Sequence, residues 1–282
     1  MASINQSAQT LKALHKPGSP LVLPNVWDVS SLHAIVSLNS ASSTPVKALA
    51  TASWAIAASL GIEDEELTMV QNLEAISKMA PAAERAGLPL SVDLQDGYGD
   101  LIIAVVTAAV EYGAAGANIE DGIPSAGFGR GISGSLYNLQ DQVARLRRAL
   151  DAAEDAGAPD FVLNARCDVF RLDASPDLSY ETRLAEAVKR GKAYLEAGAA
   201  TVFFWGGPGQ GLTGDTVKTL VKELDGRVAV MLSGAPGSLT TADLAKLGVA
   251  RISVGPSLYL AALDAVKAAA TRMLSGGGLA VL

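Results

Sequence analysis

The stretch Pro89-Leu90-Ser91-Val92-Asp93-Leu94-Gln95-Asp96-Gly97-Tyr98-Gly99 holds the residues best placed for chemistry. Leu90 and Val92 alternate with Ser91 and Asp93, the period-2 pattern of a strand. Gly97 and Gly99 then allow a tight turn with positive φ. Asp93 therefore ends a strand just before a glycine turn, where a carboxylate can meet a ligand. The other reading of the same residue is a solvated loop carboxylate.

Further polar residues fall at the ends of this and other expected strands: Asp28, Ser53, Gln95, Glu120, Asp121, Asn164, Arg166, Asp168 and Ser233. Residues two apart on a strand share a face. Asp93 then goes with Gln95, Asn118 with Glu120, and Asn164 with Arg166 and Asp168, while Val92, Ile119, Ala165 and Cys167 point into a helix layer. Buried charges need partners, so carboxylates from two strands facing one cavity point to a divalent cation. Oxygen ligands without histidine favour Mg²⁺ or Mn²⁺ over zinc. A neutral amide such as Gln95 can offer its carbonyl oxygen to a cation but brings no charge. Arg166 would hold an anionic substrate group through its planar fork. The alternative for the whole set is an Arg–carboxylate network that only ties strands together.

Other chemistries find less support. Cys167 faces the helices by parity and reads as an inert packing residue. His15 and His33 fall on N-terminal helices as structural or exposed residues, and no Ser-His-Asp set can be assembled from them. The glycine-rich loop 122–134 lacks the Gly-Lys-Ser/Thr of a phosphate loop. It reads as a mobile lid, with a surface linker as the alternative.

These side chains must be positioned by a chain of 282 residues, 49% hydrophobic and 18% charged, which can build a sizeable core. A net charge of −7 argues against nucleic acid and anionic membranes as partners. One cysteine excludes an intrachain disulfide, no apolar run is long enough to span a bilayer, and the first residues lack signal-peptide features. The expectation is a soluble cytoplasmic protein. Apolar runs predict strands at 21–24, 47–51, 116–121, 160–166, 200–205, 227–232 and 249–254, besides the one that carries Asp93. Helices are predicted at 8–15, 29–38, 68–86, 100–112, 139–156, 180–197, 214–224, 240–247 and 256–273. Alternating strands and helices without a composition break predict an α/β fold, a closed (β/α)₈ TIM barrel, with an open doubly wound sheet as the alternative. One domain would span 1–275, followed by a flexible tail at 276–282.

Several motifs occur in a telling order: Leu23-Pro-Asn-Val-Trp-Asp28, Ala50-Thr-Ala-Ser-Trp54, Ala58-Ser-Leu-Gly-Ile-Glu-Asp64, Ser91 to Gly99, Asn118-Ile-Glu-Asp121, Asn164-Ala-Arg166 and Ser253-Val-Gly-Pro256. In this combination the chain resembles the isocitrate lyase/phosphoenolpyruvate mutase superfamily, nearest its small, poorly characterised members, over about residues 10–272. The resemblance implies a (β/α)₈ barrel whose last helix is swapped between subunits, in a homodimer or homotetramer. It implies Mg²⁺ held by Asp93, with Asp64 and Glu120 reaching it directly or through water, and Gln95 at the place of the usual second carboxylate. It implies a 2-oxo acid bound near Ser53, Trp54, Asp93 and Asn164, with Arg166 on the substrate and Arg166 and Glu120 as the catalytic residues. The shared chemistry is cleavage or formation of a C–C or P–C bond beside a pyruvate-like enolate, whose charge Mg²⁺ and Arg166 would stabilise.

The chain departs from the pattern in three places. Gln95 replaces the second carboxylate of an Asp-x-Asp/Glu pair. The lid reads Gly122-Ile123-Pro124-Ser125, without the lyases' Lys-Lys/Arg-Cys-Gly-His or the mutases' Lys and Asn-Ser. Trp205-Gly206 stand where tricarboxylate lyases carry a glutamate, and Ala229 where many members carry asparagine. The expected function is a Mg²⁺-dependent lyase that cleaves a C–C bond of a small 2-oxo or 2-hydroxy dicarboxylic acid. The alternatives are a phosphonopyruvate mutase or hydrolase acting on a P–C bond, and a non-catalytic 2-oxo acid-binding protein. Net acidity and the lack of lid lysines rank the phosphonate reading second.

Overall fold

The computed structural model describes residues 3–175, 177–207, 209 and 211–279. Of the tail expected at 276–282, residues 280–282 lie outside the described residues. The first extended run is interrupted at Pro24, whose ring leaves no amide N–H for a ladder. It therefore forms two short strands, β1 (Leu21–Leu23) and β2 (Asn25–Val26). Then follow β3 (Leu49–Thr51), β4 (Leu90–Asp93), β5 (Gly116–Glu120), β6 (Val162–Cys167), β7 (Thr201–Phe204), β8 (Val228–Met231) and β9 (Arg251–Ser253). The order is β1-β9-β8-β7-β6-β5-β4-β3-β2, with parallel pairs throughout. Because β1 pairs with β9 and the adjoining β2 with β3, the sheet closes on itself. The barrel expectation holds, and the open-sheet alternative does not. Asn25 seals the seam: Nδ2 donates to the Thr51 carbonyl at 2.6 Å, and Oδ1 accepts from the amides of Val254 and Gly255 at 3.0 and 2.9 Å.

The helices are α1 (Ile4–Leu14), α2 (Val29–Val36), α3 (Ser53–Leu60), α4 (Met69–Arg85), α5 (Ile102–Tyr112), α6 (Gly131–Ser135), α7 (Leu139–Asp155), α8 (Tyr180–Glu196), α9 (Gly214–Glu223), α10 (Thr241–Leu247) and α11 (Ser257–Leu274). Helix α1 starts four residues before the predicted 8–15, because Ser3 Oγ accepts from the Gln6 amide and caps it. It plugs the N-terminal end of the barrel: Ala8 and Leu11 are buried with Leu21, Leu23, Ala48, Ala50, Ala115 and Val162. Gly116 is needed for that approach, since a Cβ there would lie 2.5 Å from the Val162 carbonyl and 3.0 Å from Leu11 Cδ2. Outside the barrel, Val92, Ile119 and Ala165 share one buried cluster with Ile76 and Met79 of α4, Val105 and Val106 of α5, and Leu146 of α7. Each of the larger side chains among these contributes about 1.5–3 kcal/mol on burial.

The loop 122–134 is not wholly irregular: it holds a 3₁₀ turn, Pro124–Ala126, and leads into α6, and a bridge between Gly122 and Leu136 closes its base. Helix α11 buries no side chain in its own chain. Its Leu260, Leu263, Val266 and Leu274 stand in solvent, Val266 at 64% and Leu274 at 82% exposure. Among the described residues, no helix is long and apolar enough to cross a membrane.

Candidate active site

A cavity of about 330 Å³ opens at the C-terminal ends of the strands. Its lining includes Ser53, Trp54, Asp64, Asp93, Gln95, Glu120 and Arg166. Asp93 is the last residue of β4 and is held from several sides. Its Oδ2 accepts from the Ser53 amide and hydroxyl, both at 3.1 Å, and its Oδ1 accepts from Asn118 Nδ2 at 3.3 Å. Its own amide donates to Thr51 Oγ1 at 2.8 Å. Ser53 opens α3, so the positive end of that helix dipole also faces the cavity.

Asp64 begins a 3₁₀ turn, Asp64–Glu66, in the charged loop after α3. Gln95 Nε2 donates to the Asp64 carbonyl at 2.6 Å and to its Oδ1 at 3.1 Å. The amide nitrogen of Gln95 is thus the group that meets Asp64. Its placement differs from the parity argument. Strand β4 ends at Asp93, and Gln95 has φ 52°, so the turn and not the pleat aims its side chain. Gly97, at φ 85°, completes this turn, and a Cβ there would come within 2.9 Å of Ile102 Cγ1. Burial, and then the neighbouring Asp93 charge, push the Asp64 carboxyl up to about 6. Asp96 faces the helices, accepting from Tyr137 Oη at 2.7 Å and the Tyr98 amide at 2.9 Å.

Arg166, on β6, reaches Glu120 on neighbouring β5 at 2.6 Å through Nη1 and Asp168 at 2.8 Å through Nε. The Trp205 ring lies 5.4 Å from its guanidinium carbon. Burial works against the Arg166 charge, and Asp168, Glu120 and Asp93 outweigh it, so its pKa moves up. Burial pushes Glu120 up, with Arg166 opposing and Asp168, Asp93 and Asp64 adding to the rise.

Several expected residues serve elsewhere. Asn164 does not line the cavity. Its Nδ2 donates to Asn118 Oδ1 at 2.9 Å and its Oδ1 accepts from Thr201 at 2.6 Å, so it sits a layer too deep and orients Asn118. Asp121 faces the helices, bound to Arg190 at 3.1 Å and Tyr194 Oη at 2.6 Å. Asp28 caps α2, and Ser233 accepts the Ala235 amide and donates to the Gly209 carbonyl. Cys167 is buried, with its thiol pushed up by that burial. His15 is held neutral, its pKa lowered to about 4 by burial, and His33 is exposed. Arg251, Arg171 and Phe128, not among the residues expected from sequence, also line the cavity. Alternation of Arg251 with Ser253 on β9 is the signal that places Arg251 inside the barrel.

Among the described residues, no three His, Cys, Asp or Glu side chains converge closely enough to hold a metal by themselves. Asp93 and Asp64 nonetheless form an oxygen-only pair whose mutual repulsion helps raise Asp64. That set fits Mg²⁺, which usually keeps several waters and takes one or two carboxylates.

A closed parallel barrel with these carboxylates and Arg166 at its C-terminal rim defines an enzyme of the isocitrate lyase/phosphoenolpyruvate mutase superfamily, of lyase or mutase type. The chain belongs to the phosphoenolpyruvate phosphomutase family, whose sequence profile matches residues 11–274. It is similar to a provisionally assigned phosphonomutase from Burkholderia cenocepacia J2315, with 33% identity and a TM-score of 0.80 over 95% of this chain and 99% of that one. It is 31% identical to an uncharacterised protein of Mycobacterium tuberculosis H37Rv over 94% of this chain and 88% of the other. It is 31% identical to the 2-methylisocitrate lyase of Escherichia coli K12, over 52% of this chain and 46% of that one.

Proposed function

We propose that the protein is a Mg²⁺-dependent lyase that cleaves a C–C bond of a small 2-oxo or 2-hydroxy dicarboxylic acid through a pyruvate-like enolate. The observation that carries this reading is the convergence of Asp93, Asp64 and Arg166 on one cavity from β4, the loop after α3, and β6. Asp93 and Asp64 would hold Mg²⁺, with Glu120 reaching it through water and Gln95 positioning Asp64. When bound, the cation polarises the 2-oxo group and offsets enolate charge. Ser53 and Trp54, at the N-terminal end of α3, bind the substrate carboxylate. Arg166 directs its guanidinium at the developing enolate oxygen, fixed in place by Glu120 and Asp168. The lid residues on the cavity, Gly122, Ile123, Pro124, Gly127 and Phe128, carry no titratable group, so they exclude water and leave proton transfer to Glu120.

Two further points belong to the same reading. The apolar stripe of α11, with Ala261, Leu263, Val266 and Ala270, packs on a partner barrel in a homodimer or homotetramer; its lack of buried side chains supports this. The setting is the cytoplasm, in keeping with a lone, buried cysteine.

The reading is tested by assaying oxaloacetate, 2-methylisocitrate, dimethylmalate and phosphonopyruvate with and without Mg²⁺. Mg²⁺-dependent release of a 2-oxo acid from a carbon substrate is the expected result. Turnover of phosphonopyruvate alone would transfer the proposal to P–C chemistry. Binding without turnover of any substrate would leave a non-catalytic protein.

A further inference from the structure

Arg251 is 2% exposed, yet it lines the cavity together with Ser91 and Ser253. It sits below the carboxylate layer, because its two Nη atoms reach Ser91, two residues before Asp93 on the far side of the barrel. Ala229 and Leu21 flank it in register, and Ala50 and Gly116 flank Ser91, so the small residues Ala229, Ala50 and Gly116 leave room around its head.

Its partners are unlike those of the other buried arginines. Arg190 has Asp121 at 3.1 Å and Glu186 at 2.9 Å. Arg145 has the Asp96 carboxylate at 3.6 Å, the Gly99 carbonyl at 2.8 Å and the Tyr137 ring at 4.1 Å. Arg251 has only hydroxyl oxygens, Ser91 Oγ at 3.3 Å from both Nη atoms and Ser253 Oγ at 3.3 Å from Nε, and makes no ion pair among the described residues. A guanidinium has five N–H donors, and an unpaired buried cation is costly. Burial lowers its pKa to about 10, against the pull of Asp93, so it remains charged at neutral pH. A folded pKa below the unfolded one means that this charge opposes folding at neutral pH. The site therefore calls for an anion that the described residues do not supply.

We propose that Arg251, with the hydroxyls of Ser91 and Ser253, forms an anion subsite on the cavity floor that takes the second carboxylate of the substrate and so selects dicarboxylic over monocarboxylic acids. This rests on the reading of the cavity as a 2-oxo or 2-hydroxy acid site. The guanidinium fork donates to both carboxylate oxygens, and each serine hydroxyl can turn to donate as well.

Arg251→Met keeps the length of the side chain and removes its charge. The test has two arms, with wild type, Arg251→Met and Asp93→Asn compared in each. In the first, the metal-free proteins are melted in formate and in chloride of equal ionic strength. Formate is expected to raise the melting temperature of wild type and of Asp93→Asn but not of Arg251→Met, which melts no lower than wild type in chloride. A barrel-filling role alone would lower its melting temperature and leave no formate effect to lose. In the second arm, calorimetry of the Mg²⁺-loaded proteins compares malate with 2-hydroxybutyrate and 2-oxoglutarate with 2-oxovalerate. Wild type should prefer the dicarboxylate of at least one pair by about tenfold or more, and Arg251→Met should lose that preference while keeping its affinity for the monocarboxylate. An equal formate effect on Arg251→Met overturns the subsite. A formate effect without any dicarboxylate preference assigns the subsite to a free anion and overturns the substrate claim. If neither acid binds wild type while the formate result holds, the 2-oxo acid reading fails and the floor subsite stands.

Discussion

The guanidinium of Arg166 lies 2.6 Å from the Glu120 carboxylate, on the strand beside its own. With Asp168 at 2.8 Å on Nε, this contact fixes the plane of the fork and leaves its remaining edge for the cavity. Lysine brings the charge without the fork. Arg166→Lys should therefore lower kcat by about 10²–10³-fold, the usual cost of a lost oxyanion donor, with a smaller change in KM. Steady-state kinetics on whichever acid the substrate assay identifies would check this; an unchanged kcat would remove Arg166 from the enolate.

Asp64 should make stability depend on pH in an unusual direction. Its carboxyl is raised to about 6 in the fold, above the ordinary value of 3.8. The folded protein then binds the proton more tightly than the unfolded chain, so this contribution to stability is present in acid and lost as pH rises through about 6. Metal-free protein should melt higher at pH 5.5 than at pH 7.5 by this contribution, and Asp64→Asn should flatten the difference. Mg²⁺ needs the ionised form, so its affinity should fall as pH drops below about 6. Thermal melts and Mg²⁺ titrations at both pH values decide it; the same pH slope in Asp64→Asn would assign the effect to another group.

Gln95→Glu replaces a donor that stands 3.1 Å from Asp64 Oδ1 with a second negative charge. Metal-free protein should be destabilised by the like charges, and Mg²⁺ should bind more tightly because the cation then meets one more carboxylate. Turnover need not rise, since the same charge opposes an enolate forming nearby. Calorimetric titration of Mg²⁺ into both proteins separates these effects. Equal affinity would mean that Gln95 does not face the cation.

Helix α11 leads to a prediction about assembly. An apolar stripe without a cover in its own chain should be covered by a second copy. Light scattering at micromolar concentration should give a dimer or tetramer, and Leu263→Asp with Val266→Asp should shift it toward monomer. A monomeric wild type would contradict the proposed packing.

Much of this architecture was legible in the residues, for reasons that also explain the misses. Alternating apolar runs and glycine stops mark the barrel, and strand parity places Asp93, Glu120 and Arg166 on its inner face. Parity tells which face a residue takes but not how deep it lies, which is why Asn164, on the correct face, sits below the cavity. It also fails beyond the last paired residue: Gln95 reaches the cavity through a left-handed turn, and its amide orientation depends on Asp64, distant in sequence. The break of the first strand at Pro24 and the early start of α1 at Ser3 follow from single residues that an apolar-run reading passes over. Arg251 was passed over because a buried arginine amid Val249, Ala250 and Ile252 looks like part of a core strand until its missing counter-charge is seen.

In the proposed reaction Asp93 brings a cation and an enolate-like ligand together. Calorimetric titration of oxalate, a planar enolate mimic, into wild type and Asp93→Asn with and without Mg²⁺ tests it most directly. Oxalate should bind wild type only with Mg²⁺, and should not bind Asp93→Asn, whose circular dichroism should match wild type because the substitution opens no core cavity. Equal oxalate binding without Mg²⁺, or undiminished binding by a folded Asp93→Asn, would contradict it.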